Sequence, residues 1–158
     1  MHSRIFQVSS EPIQEDNMIQ EYRYEDSFIP STADYVVKQT QSAEIKSDLE
    51  WLAQACDGIK VDADKRTLIV TSKAEYFEQK HEQFKELAEK LSSISLEDFI
   101  TTKADFDLYD LKSAYEDRHS FYIDDNDEYC GLAPMDNWIR YAEENKVYYI
   151  GSVFDYHF

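Results

Sequence analysis

The chain has 158 residues, and its 33 acids against 16 bases leave a net charge of −17. That balance, with no local basic patch to offset it, argues against direct binding to a nucleic-acid backbone or an anionic membrane surface. No stretch approaches the roughly 18 apolar residues of a membrane span, and Met1 to Ser10 lacks the apolar run of a secretory signal. Cys56 and Cys130 show no metal-ligand spacing. The expectation is a single domain over residues 1–158, with both thiols free, in a reducing cytoplasm.

Taken in chain order, Arg4 to Val8 predicts a short strand. Ser9 to Pro30 is acidic and irregular. A structureless loop of that length is unusual in a compact domain, so a short helix or strand is expected around Met18 to Tyr24. Ser31 to Val37 reads as a helical turn with Ser31 or Thr32 as its N-cap. From Ala43 to Asp57, the residues Ile45, Leu49, Leu52, Ala53 and Cys56 form one apolar helical stripe, and Gly58 closes the helix. Trp51 lies off that stripe and marks either a self-association patch or a second buried face. Ile59 to Ala63 and Thr67 to Thr71 alternate around Asp64-Lys65-Arg66, a hairpin signal.

Ser72 and Glu75 make a capping box for a helix running to about Ser92. Phe77, Phe84, Leu87, Ala88 and Leu91 form its expected buried face, with His81 on the same stripe. Ser95 and Asp98 cap a short helix holding Leu96, Phe99 and Ile100. Asp105 caps a further helix to about Asp117, with Leu108, Leu111 and Tyr115 inward. Phe121 to Ile123 is a short strand, and the acidic turn Asp124 to Glu128 follows. Pro134 is expected as the first residue of a last helix ending at Asn145, with Met135, Trp138, Ile139 and Ala142 inward.

Lys146 to Phe158 is the strongest strand candidate, because eight of its thirteen residues are Val, Ile, Phe or Tyr. Gly151 breaks its alternation, either as a bulge or bend within one strand or as a turn between two. Strands and helices mix without a regular βαβ rhythm. The predicted class is α+β, a mixed or mostly antiparallel sheet of about four to six short strands packed with about four to five helices.

Chemistry is sparse. Asp124-Asp125-Asn126-Asp127-Glu128 is rich in oxygen ligands, but a calcium loop needs Gly at its sixth position and Glu at its twelfth. Counting from Asp124 those positions hold Tyr129 and Met135, and from Asp125 they hold Cys130 and Asp136. A solvated acidic turn is the expectation. Asp107, Asp110 and Asp117 fall near one helix face and, with Asp105, offer oxygens to a hard cation. A charged, solvated face explains them as well. His2, His81, His119 and His157 are far apart, and Cys130 beside His119 or His157 lacks the spacing of a cysteine enzyme. Three glycines leave no phosphate loop, so no cofactor is expected and no metal is assigned.

What remains is charge beside aromatic rings. Residues 97–128 carry 11 acids against 3 bases, and tyrosines interleave them. The expected surface comprises Asp105, Asp107, Asp110, Tyr115, Glu116, Asp117, Asp124, Asp125, Asp127, Glu128 and Tyr129. The best expectation is a non-enzymatic acidic module that covers a basic protein partner, in the style of an immunity protein, an antitoxin or a DNA mimic. Mimicry needs most of the charge on one face, whereas the acids spread over almost every segment. The alternative is a small carboxylate-based metal- or ligand-binding protein or enzyme, which requires two of these carboxylates to converge in a pocket.

Overall fold

The computed structural model describes residues 1–127 and 131–158. Its centre is β7 (Val147–His157), which pairs antiparallel with β1 (His2–Ser9) along one edge. The other edge of β7 is shared. Its first half pairs with β4 (Thr67–Val70) and its second half with β2 (Tyr35–Lys38). Beyond β4 lies β3 (Ile59–Asp62), closing the expected hairpin. Beyond β1 lies β5 (Tyr122–Asp125) in parallel, then β6 (Leu132–Pro134). Among the described residues these seven strands form one mixed sheet, so the α+β class holds, while the numbers of strands and of helices both exceed the expected ranges.

Gly151 is a bulge. Phe6 pairs with Val153 and Val8 with Ile150, so Gly151 and Ser152 together oppose Gln7. The extra residue switches faces, because side chains alternate with period two. Tyr148, Ile150 and Val153 therefore share one core, while Phe154 and Tyr156 enter the other. A Cβ on Gly151 would lie 2.6 Å from Gln7 Oε1. The fully buried Gln7 needs that approach. Its oxygen accepts from Ser152 N and Ile19 N, and its amide donates to Asn17 O and Asn126 Oδ1.

The first core is covered by α2 (Ser42–Ala55), α6 (Met135–Tyr141) and the start of α3 (Lys73–Ser92). Ile45, Leu49 and Leu52 are buried as the stripe predicts, but Ala53 is exposed. The second core is covered by the chain between β1 and β2, which forms 3-10 turns at Glu15–Asn17 and Glu21–Tyr24, then α1 (Ile29–Thr32). Tyr24, Phe28 and Ala33 enter this core, where the rings of Phe28 and Tyr122 meet edge to face at 4.8 Å.

Several expectations need correction. Ser31 to Val37 is not one helical turn, because α1 ends at Thr32 and Tyr35 begins a strand. Pairing with β7 outweighs the local capping signal. Pro134 ends β6 and caps α6 instead of opening it, and α6 stops at Tyr141. Asp105 lies inside the first turn of α5 (Lys103–Tyr115), with Thr102 at the cap. Leu108 points outward, at 54% exposure, and Tyr115, 56% exposed, lies against Arg140 and Phe84 without being buried.

The long helix α3 buries no residue fully. Its capping box holds in part, with Ser72 Oγ accepting from Glu75 N at 3.2 Å. Phe77, Phe84, Leu87, Ala88 and Leu91 are half-buried, and His81 is exposed. The reason is tertiary. Only the first turns of α3 reach the sheet, through Tyr76 and Phe77. The remainder packs on α5, and α5 on α4 (Leu96–Ile100), as a helical arm.

Candidate functional site

The arm carries most of the sequence-predicted surface. α4 spans five residues, too short to bury a face of its own, yet Leu96, Phe99 and Ile100 recur at i, i+3 and i+4. Their exposures are 75%, 68% and 76%. Phe106, Leu108, Tyr109 and Tyr115 on α5 are also exposed. Large apolar groups left exposed together on one short helix mark a candidate binding patch. Helical spacing alone places Leu108 and Tyr115 inward and gives no signal for Phe106. The available signal was an apolar triplet on a helix too short to cover it.

Carboxylates interleave these apolar groups. Between Glu97 and Asp117 there are seven acids against Lys103 and Lys112. Asp98 pairs with Lys103 at 3.1 Å and is held below the usual carboxylate range by the Lys103 and Ser95 hydrogen bonds. Asp107 is buried and pairs with Lys90 of α3, pinning the arm together. Among the described residues Glu97, Asp105, Asp110 and Glu116 have no ion-pair partner. Asp117 turns inward, accepting from His119 N at 2.9 Å. With Asp110 it lines a shallow cavity of about 430 Å³ between α3 and α5 that also holds Lys80.

The acidic turn is corrected in kind. Asp124 and Asp125 belong to β5, and alternation sends them to opposite faces of the sheet. Asp124 is fully buried. It accepts from Arg23 Nε at 2.7 Å and Nη2 at 2.9 Å, and from the Tyr24 hydroxyl at 3.1 Å. Asp125 accepts from the indole N–H of Trp138 at 3.2 Å and from Asp127 N at 2.8 Å. Burial pushes its carboxyl upward, against those hydrogen bonds. Asp127 receives Ser10 N at 2.7 Å. Asp124 and Asp125 are thus buried structural acids, whereas Asp127 is exposed. Glu128, Tyr129 and Cys130 lie outside the described residues.

A second polar constellation lies where the arm meets the sheet. Asp136, fully buried at the start of α6, receives Lys80 Nζ at 2.6 and 2.7 Å and the Tyr76 hydroxyl at 2.9 Å. A lone Asp in a helical first turn carries no sequence signal of burial. A cavity of about 330 Å³ adjoins it, lined by Trp51, Cys56, His119 and Phe121 among others. Burial pushes the Cys56 thiol up to about 11, so it stays a neutral thiol near pH 7 and is a poor nucleophile. Trp51 packs edge-on against Phe121 at 4.8 Å with the Arg4 guanidinium over its ring, and remains 40% exposed.

Among the described residues no group of three or more His, Cys, Asp or Glu is placed to hold a metal ion. Nor is any helix among them long and apolar enough to cross a membrane. No protein-family model, no curated protein and no solved structure matches this chain.

Proposed function

We propose that this protein is a non-enzymatic acidic binding module whose α4–α5 arm covers a basic surface of a partner protein, as an immunity protein or an antitoxin does. One observation carries the reading: Leu96, Phe99, Ile100 and Phe106 stand exposed among unpaired carboxylates. Apolar groups supply area and the carboxylates select charge, so the matching partner is a Lys/Arg-rich segment with an apolar stripe. A second copy of this chain fits poorly, because the same acidic patch would face itself. A DNA mimic fits less well than an inhibitor, because its surface would need charge without these aliphatic groups, and Asp124 and Asp125 are buried.

The test is titration with a synthetic amphipathic Lys/Leu helix at low and high salt, alongside a Phe99→Ser/Ile100→Ser variant. Binding that weakens toward about 0.5 M salt, where charges are screened over a few ångströms, and that drops in the variant is the expected result. Equal binding by the variant, or a chain that dimerises through the arm instead, would sink the reading.

A further inference from the structure

A cavity of about 280 Å³ lies where α3, α5 and α6 meet. Phe77, Phe84, Ala114 and Tyr115 supply its apolar wall, and its polar lining is Lys80, His81 and Arg140. Among the described residues no carboxylate lines it, in a chain whose net charge is −17. Arg140 is held in place by its surroundings. Its guanidinium carbon sits 4.2 Å from the Tyr115 ring centroid and 4.9 Å from that of Phe77. Nη2 donates to Tyr115 O at 2.6 Å and Nη1 to Asn137 Oδ1 at 3.0 Å.

A guanidinium has five N–H donors in a fixed fork. These two bonds leave donors over, and among the described residues no carboxylate pairs with Arg140. Lys80 is different, since its ammonium already grips both oxygens of Asp136. His81, at the exposed rim, has Glu82 at 3.7 Å. The cavity thus presents a pre-oriented cation with spare donors beside aromatic walls.

We propose that this cavity binds a small amphipathic carboxylate, with its head on Arg140 and its apolar body against Phe77, Phe84 and Tyr115. Arg matches a carboxylate with two parallel hydrogen bonds, and the volume, just below that of drug-sized pockets, suits roughly ten non-hydrogen atoms. The site is separate from the acidic tip of the arm and stands whether or not that tip binds a protein.

The test is titration of the full chain with octanoate and, in parallel, 1-octanol, followed by calorimetry and amide chemical shifts. One octanoate site per chain, with 1-octanol at least about tenfold weaker, is expected, since one charge-assisted contact is of that size. Arg140→Met should lower octanoate affinity about tenfold and erase the preference over the alcohol. His81→Glu changes an exposed rim side chain and places a like charge at the mouth, so it should weaken octanoate alone. If Arg140→Met fails to fold, His81→Glu decides. No octanoate binding, equal binding of the alcohol, or octanoate binding unaffected by these substitutions would each overturn the proposal.

Discussion

Lys80 and Asp136 join the arm to the sheet. The ammonium of α3 reaches both oxygens of a fully buried carboxylate on α6, which also accepts from the Tyr76 hydroxyl and from Asp117 N. Removing the carboxylate leaves a cation, a hydroxyl and the Asp117 N–H without their partner, although Lys80 keeps some access to water. Asp136→Ala should therefore cost about 2–4 kcal/mol, toward the lower end of a broken buried pair. Asp136→Asn, which keeps an acceptor, should cost less. Urea unfolding measures both, and an Ala variant as stable as wild type would refute this account of the joint.

The bulge makes a separate prediction. Gly151→Ala places a methyl against Gln7, whose amide holds the second covering layer through Asn17 and Ile19. The substitution should destabilise by about 1–3 kcal/mol, the usual range for overpacking. In a Gln7→Ala background the same change should cost distinctly less. Equal costs in the two backgrounds would show that the crowding lies elsewhere.

Burial raises the phenol pKa of Tyr24, Tyr76, Tyr122, Tyr148 and Tyr156, to about 12 at Tyr122. A group with a higher pKa folded than unfolded adds stability below its unfolded value of about 10. That stability is lost as pH rises through the folded value. Unfolding free energy should therefore fall from about pH 10 upward. Phenolate absorbance should show these tyrosines ionising together with loss of the near-ultraviolet circular dichroism. Complete ionisation with that signal intact would mean the rings are accessible in solution.

The arm's tip should be almost silent in stability. Phe99 and Ile100 are each more than two-thirds exposed, so Phe99→Ser and Ile100→Ser should change unfolding free energy by no more than about 0.5 kcal/mol. Retention on a hydrophobic column should drop at the same time. A large fall in melting temperature would indicate that these side chains pack against the protein itself.

Local chemistry made much of this fold legible. The stripe of Ile45, Leu49 and Leu52, the hairpin around Asp64 to Arg66, the Ser72 cap and the bulge at Gly151 each depend on neighbours in sequence. Helical and strand periodicities record such neighbours directly. The acidic, tyrosine-bearing character of residues 97–117 was equally visible. The missed features depend on partners far away. Asp124 resembles a surface acid until Arg23 and Tyr24, about a hundred residues distant, close over it.

By itself, then, the sequence determined the α+β class, the helix and strand faces of the best-patterned segments and the strong negative charge. Those properties follow from composition and from spacings of a few residues. The tertiary structure alone decided which acids are buried, that β2 joins β7, that α3 leaves the sheet after its first turns, and that Arg140 lies between two aromatic rings. Each of these is a long-range contact, and its free energy comes from burial and pairing that no local pattern encodes.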